Sequence, residues 1–254
     1  MAAMGKPSDR LYDRIGSNYS ALRQPEPRIH AQIVRALGTA ERVVNVGAGT
    51  GNYEPTDRVV VAVEPSKMMV GQRPAERGRA VMSLAEALPF ADLSFDVALA
   101  TFALHHWSDL PTALSELARV AHRQVILMND RRFCEDTWIY DYFPQMLEVP
   151  SEQRAPSVAV IEECLRVVHT EVVPVPADCI DGFCGAFWSR PEALLNPAVR
   201  AGSSSLAQLD PEAASSDAQR LLDDLRSGSW DTYHGHLRQL EHFDMGYRLL
   251  ICGK

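Results

Sequence analysis

The apolar positions open in a helical rhythm. Leu11, Ile15, Tyr19 and Leu22 recur at helical spacing, which predicts an amphipathic helix over 9–22 behind a loosely held tail, 1–10. Past Pro25 and Pro27, Ile29, Ile33 and Leu37 repeat that spacing, with Gly38 as the helix C-cap. Then the rhythm shortens. Val43, Val44 and Val46 form a β-branched run suited to a short buried strand, and Val59 to Val63 forms a second. Arg79 to Met82, Phe95 to Leu104 and Val125 to Met128 continue the series. The Phe95 run is mostly apolar without clean alternation, as a central parallel strand covered on both faces requires. Helices are expected between these strands. One opens at Ser66 with Met68 and Met69 in the core. Another opens at Ser108 or Asp109, with Leu110, Leu114, Leu117, Ala118 and Ala121 on one face. A third opens at Ser157, with Val158, Ile161, Leu165 and Val168.

Strands alternating with helices predict an α/β fold built on a parallel sheet. Near the end, Val172 to Val175 reads as a strand that Pro174 confines to an edge or terminus, and Tyr247 to Cys252 reads as a last strand antiparallel to it. Between them, Asp178 to His242 carries helical patterns at 216–226 and 229–241, split by Gly228, and is expected to pack over the mouth of a site. Residues 131–150 are dense in aromatic and acidic side chains, and no internal repeat is visible.

The most informative stretch is Val43 to Glu54, VVNVGAGTGNYE. Its strand breaks into Gly47-Ala48-Gly49-Thr50-Gly51, where missing side chains let the backbone turn sharply against a ligand. The next strand ends in Glu64. A glycine turn after one strand and a carboxylate ending the next is how doubly wound sheets hold nucleotide-like ligands, the carboxylate taking ribose hydroxyls. The glycines do not match the G-x-G-x-x-G dinucleotide spacing, and no Lys-Ser/Thr pair follows to make a phosphate loop. Pro55 sits where a crossover helix would run, so that helix should be very short.

Composition narrows the partners. The 254 residues suit one large domain or a domain with a cap, and the net charge of −8 with no Lys/Arg block disfavours a nucleic-acid substrate. Five cysteines without a C-x-x-C pair suit reduced thiols, and no apolar run approaches a membrane span or signal peptide, so a cytoplasmic location is expected. Tyr233-His234-Gly235-His236 has no third ligand at a recognisable spacing, so no metal is expected. Asp178 to Cys184, DCIDGFC, reads as a tight turn lining a pocket.

The glycine turn resembles the first motif, (D/E)xGxGxG, of the class I S-adenosylmethionine-dependent methyltransferases. VAVEPS at 61–66, AEALPF at 85–90, SFDVALATFALHHW at 94–107 and RQVILMND at 123–130 continue the resemblance in order. Within that family the small-molecule enzymes of the ubiquinone/menaquinone-biosynthesis type look most similar. The resemblance implies a Rossmann-like seven-stranded, mostly parallel sheet with an antiparallel last strand, a helical N-terminal segment and a helical cap insertion. It divides the chain into a lid segment, 1–38, an S-adenosylmethionine-binding core, 39–177 with 243–254, and an insertion over the active site, 178–242. It assigns cofactor contacts to Tyr19, Arg23, Asn45, Gly47, Ala48, Gly49, Glu64, Pro65, Met69, Ala85, Glu86 and Thr101. Two positions depart from the pattern: Asn45 stands where many relatives carry an acid, and Leu84 where an Asp is common. Glu86 is either an adenine contact or a helix cap. His105 and His106 lie just past the fourth strand, where an imidazole suits proton removal, and at least one of them is expected to pack or bond to backbone instead. Asp130 either orients a histidine, takes a proton or caps a helix. The implied reaction is methyl transfer to a small aromatic or prenyl-like acceptor; the resemblance leaves the oligomeric state open, with a homodimer one option. The alternative is an S-adenosylmethionine-binding module or a cyclase on the same fold.

Overall fold

The computed structural model describes residues 11–12, 19–78, 80–133 and 137–253. Ile15, Arg79 and Cys134 lie outside them, and with them most of the helix expected over 9–22. A helical turn, α1 (Tyr19–Leu22), leads into α2 (Pro27–Leu37), whose N-cap Glu26 accepts from the Arg28 amide and whose C-cap is Gly38 at φ +58°. The strands are β1 (Arg42–Val46), β2 (Val59–Val63), β3 (Ala80–Val81), β4 (Phe95–Thr101), β5 (Ala121–Asn129), β6 (Val167–Val172), β7 (Val175–Pro176), β8 (His242–Phe243) and β9 (Tyr247–Gly253). Seven form one sheet in the order β3-β2-β1-β4-β5-β9-β6, parallel except that β9 runs antiparallel to both β5 and β6. β7 and β8 pair by themselves.

Alternation across the sheet divides the interior into two layers. Val97 and Leu99 of β4, Val125 and Leu127 of β5 and Leu249 of β9 face α2 and the insertion, including the fully buried Trp188 and Trp230. Ala98 and Ala100, Ile126 and Met128, and Leu250 and Cys252 face the other layer. That second layer contains α4 (Leu110–Val120) and α7 (Val158–Cys164). Between β2 and α4 runs α3 (Lys67–Gly71), capped by Ser66, whose hydroxyl accepts from the Met69 amide. Asp109, not Ser108, caps α4 by accepting from the Thr112 amide at 3.1 Å. After β5 come α5 (Trp138–Tyr142) and α6 (Pro150–Gln153); the insertion holds α8 (Pro197–Arg200), α9 (Pro211–Ser227) and α10 (Ser229–His234). Among the described residues no helix is long and apolar enough to cross a membrane.

Several expected boundaries move, each for a physical reason. β4 stops at Thr101 rather than Leu104 because Phe102 takes φ +53°, which no strand continues through. β5 begins at Ala121, directly at the end of α4; His122, Arg123 and Gln124 disguise its start, yet Arg123 reaches the Leu37 carbonyl. The edge strand is β6, earlier than Val172–Val175, and its His169-Thr170-Glu171 centre faces solvent. α7 ends at Cys164, short of Val168.

The short helix expected between β1 and β2 is absent; residues 47–58 form turns. Without a helix, this segment closes on an ion pair. Arg73 donates to Glu54 at 2.8 and 3.1 Å and to the Gly49 carbonyl at 3.3 Å, and its side chain and that of Glu54 are 2% and 1% exposed. Arg77 donates to the Glu54 carbonyl, and Asn45 donates to the Glu54 carboxylate at 3.0 Å.

Removing one partner of a buried pair strands the other charge, so Arg73→Met should cost about 3–5 kcal/mol in urea denaturation. Arg35→Met breaks only the exposed 4.0 Å contact to Glu171 and should cost less than about 1 kcal/mol. Equal costs for the two variants would show that the Arg73–Glu54 pair does not hold the segment.

Candidate active site

The sheet changes direction between β1 and β4, each outward neighbour having been laid down on opposite sides, and a cavity opens at the carboxyl ends of these strands. Its floor is the glycine turn. Gly47, Gly49 and Gly51 take φ +72°, +53° and +86°, values that favour glycine. The Gly47 and Ala48 amides both bond the Val63 carbonyl, at 2.9 and 3.0 Å, tying the turn to the end of β2. Gly47 also lies against the chain after β4: a Cβ there would stand 2.6 Å from the Ala103 Cβ.

Glu64 projects beside this floor. Its carboxylate accepts from the Gly49 amide at 2.8 Å and the Ser66 amide at 2.9 Å, two bonds that fix its orientation. Pro65, Met69, Ala85, Glu86 and Thr101 complete much of the wall, with Leu84 beside Ala85. Burial alone would raise the Glu86 carboxyl pKa, but bonds from the Ser108 hydroxyl and the Ser108 and Asp109 amides outweigh it and hold the group below its usual range. Glu86 therefore both lines the cavity and fastens the loop before α4.

Arg23 closes one end of the cavity. Its Nε donates to Asp181 at 2.7 Å, and Nη1 donates to the Tyr19 hydroxyl at 2.9 Å. Tyr12, Tyr19, Arg23 and Phe102 belong to this cavity and equally to a second chamber behind it. In the second chamber Phe102, Phe183 and Tyr247 pack ring to ring, with centroids 5.0 to 5.5 Å apart. Its polar lining includes His105, Glu152 and the serines 203–205. Asn129 Oδ1 and Thr137 Oγ1, also in that lining, are buried without a hydrogen-bond partner among the described residues.

The adjacent histidines divide between the chambers. His106 lines the first, where its Nε2 pairs with the Tyr12 hydroxyl at 2.8 Å, and His105 lines the second. Burial, then the positive charge of Arg154 and Arg23, pushes His105 down to about 4. Burial, the His105 ring and the same two arginines carry His106 well below its ordinary value. Both imidazoles are neutral near pH 7.

Two assigned residues stand elsewhere. Asn45 is buried beneath the turn and lines neither chamber, because its amide is used to hold Glu54. Asp130 also lines neither chamber; its carboxylate holds Arg132 at 2.6 Å and bonds the Val158 amide at the start of α7, so it is a structural cap rather than a partner of the histidines. The Tyr233–His236 run lines neither chamber, with Tyr233 75% exposed. Among the described residues no group of three or more His, Cys, Asp or Glu is placed to hold a metal. Phe102, Tyr12 and Trp107 line the first chamber without a role assigned to them from the sequence, and Asp181, in the turn expected to line a pocket, lines neither chamber and reaches the site through Arg23. The one local signal is the position of Phe102 at the end of a central strand.

The depressed histidines give stability a definite pH dependence. The unfolded chain protonates His105 and His106 near pH 6.5, whereas the fold resists protonation of His105 until about 4. Between those values the unfolded state binds more protons, so stability falls as pH is lowered through that window. Urea midpoints measured from pH 7 to 4.5 should drop, and His105→Asn should flatten the slope; an unchanged slope would show that His105 is not held neutral.

A family model described as a methyltransferase domain matches residues 44–129. A putative methyltransferase from an antibiotic-biosynthesis pathway of Anabaena variabilis is 31% identical over 92% of this chain and 99% of its own, with a TM-score of 0.83. The uncharacterized methyltransferase YcgJ of Bacillus subtilis is 35% identical over 103 residues, and the match spans 36% of this chain and 38% of that relative's length. Geranyl diphosphate C-methyltransferase from Streptomyces coelicolor, solved with S-adenosyl-L-homocysteine, shares the fold over 99% of both chains at 12% identity and a TM-score of 0.56. Sheet order, glycine turn, strand-end carboxylate and a full-length relative agree, and the chain belongs to the class I S-adenosylmethionine-dependent methyltransferases.

Proposed function

We propose that this protein transfers a methyl group from S-adenosylmethionine to a small aromatic or prenyl-like acceptor seated in the second chamber. The observation that carries the reading is the common wall: Tyr12, Tyr19, Arg23 and Phe102 face both chambers, so ligands in the two meet across a few side chains. The residues of the first chamber fit the cofactor. The glycine turn presents backbone with no room for a Cβ at Gly47, Glu64 offers an oriented carboxylate for ribose hydroxyls, and Arg23 offers a cation for an amino-acid carboxylate. When bound, the cofactor supplies an electrophilic methyl carbon on a sulfonium.

The chain contributes alignment, exclusion of water and a place for a proton. The glycine turn and Glu64 fix one ligand while the Phe102–Phe183–Tyr247 rings fix an apolar partner, and such alignment lowers the barrier to displacement. Tyr12 and Tyr19 screen the junction from solvent. His105 is neutral and faces the acceptor chamber, so its imidazole can accept a hydrogen bond from an acceptor hydroxyl; held down to about 4, it is a weak base that suits the proton made acidic as the oxygen is methylated. His106 is paired with Tyr12, and His105 is the imidazole that lines the acceptor chamber. The acidic net charge supports a small-molecule acceptor over nucleic acid, and a cytoplasmic location accords with five cysteines lacking a paired motif.

Incubation with methyl-labelled S-adenosylmethionine and a panel of small phenols, quinols and prenyl compounds should give a singly methylated product by mass spectrometry. Gly49→Asp should abolish binding of S-adenosylhomocysteine in calorimetry. Glu64→Ala removes charge-assisted hydrogen bonds worth about 1.5–3 kcal/mol and should weaken that binding about 10- to 100-fold. Tight nucleoside binding with no methylation of any acceptor would favour a binding module or cyclase. Unchanged binding in Gly49→Asp would remove the assignment of the turn.

A further inference from the structure

Asp181 carries a charge that the reading above leaves without a role. It lies in the insertion, is 1% exposed, and pairs with a residue of the N-terminal segment 158 positions away. Its Oδ1 accepts from Arg23 Nε at 2.7 Å and from the Gly182 amide at 2.7 Å. Its Oδ2 accepts from Arg23 Nη2 at 3.3 Å and from the Tyr53 hydroxyl at 2.7 Å. Tyr53 directly follows Asn52, and Asn52 donates to the Arg23 carbonyl at 3.0 Å. The glycine-turn segment therefore holds Arg23 by its backbone, while Asp181 holds it by its guanidinium.

The same strap is fastened at neighbouring points. Glu26 accepts from the Ile180 amide at 3.1 Å, and Arg28 donates to Asp178 at 2.8 Å. Contact is close: a Cβ at Gly182 would stand 2.2 Å from the Leu22 carbonyl oxygen. Three sides of Arg23 are aromatic, with its guanidinium carbon 5.1 Å from the Tyr19 ring centre and 5.9 Å from those of Phe102 and Phe183. A guanidinium has five N–H donors. Two bond Asp181 and one bonds Tyr19, and the other two have no partner among the described residues, on a side chain that lines both chambers. Arg23 is the guanidinium in the lining of the first chamber, where no lysine or second arginine appears among the described residues.

We propose that Asp181 is a positioning residue: it fixes the Arg23 guanidinium in the wall between the chambers and so sets how tightly the first chamber holds the carboxylate of an amino-acid-bearing nucleoside. The proposal rests on the cofactor reading of that chamber. A bidentate carboxylate defines the plane of a guanidinium, which a neutral amide of the same size does far less well. Because Asp181 belongs to the insertion that also supplies Phe183 to the second chamber, it ties the cation of one chamber to the wall of the other.

Calorimetry with two nucleosides tests this. S-adenosylhomocysteine carries the amino-acid carboxylate; 5′-methylthioadenosine has the same adenosine without it. In Asp181→Asn, S-adenosylhomocysteine should bind about tenfold or more weakly, while 5′-methylthioadenosine should stay within about twofold of the unaltered protein. Tyr53→Phe, which deletes one hydroxyl donated to Asp181, should show a smaller loss of the same selectivity and serves if Asp181→Asn does not fold. Equal loss of both nucleosides would mean that Asp181 merely supports the chain, and loss of neither would mean that Arg23 is held without it; either overturns the proposal. If the unaltered protein binds neither nucleoside, the cofactor reading itself falls.

Discussion

The structure depends on one close approach. At the carboxyl end of β1 the chain must leave the sheet between β2 and β4, and Gly47 passes the chain after β4 with no space for a Cβ. That contact excludes a side chain, and the positive φ there, which favours glycine, leaves bare backbone at the place where open α/β sheets bind ligands. Much else in the site answers to it. Amides of the turn are bonded to the Val63 carbonyl or to Glu64, so the floor and the carboxylate hold each other in register. After β4, Phe102 takes its own positive φ, an unfavourable conformation for an aromatic residue that is held by packing against Tyr53, Phe183 and Tyr247.

What usually braces such a turn is a crossover helix, and this chain lacks one. Its place is taken by charge. Glu54, held by Arg73 and by the Asn45 amide, lies under the turn, so the acid absent at position 45 is supplied nine residues later for a structural purpose. A second buried pair, Arg23–Asp181, faces the chambers from the other side. The two pairs differ in use. Arg73–Glu54 makes the floor rigid, whereas Arg23 keeps donors available where the chambers meet. Buried pairs are poor sources of net stability but good sources of fixed geometry, and a displacement reaction needs fixed geometry above all.

Much of this was legible from residues alone. The valine runs of β1 and β2, the caps at Ser66 and Asp109 and the antiparallel β9 follow from local pattern, and so do the glycine turn and Glu64. Elements fixed by distant partners were not. β5 begins with polar residues whose bonds run to α2, so its start has no apolar signature. β6 is exposed at an edge and carries a mixed sequence. Asp181 reads as part of a loop until Arg23, far away in the chain, is folded against it. Asn45 and Asp130 stand at family positions, but their side chains are already engaged in holding Glu54 and α7, and only the three-dimensional arrangement reveals that.

A crystal structure grown with S-adenosylhomocysteine tests the central claim most directly. The account predicts the nucleoside in the first chamber, its ribose hydroxyls on the Glu64 carboxylate and its amino-acid carboxylate on Arg23, with Arg23 still paired to Asp181. A nucleoside bound elsewhere, or bound in that chamber with its ribose away from Glu64, would contradict it.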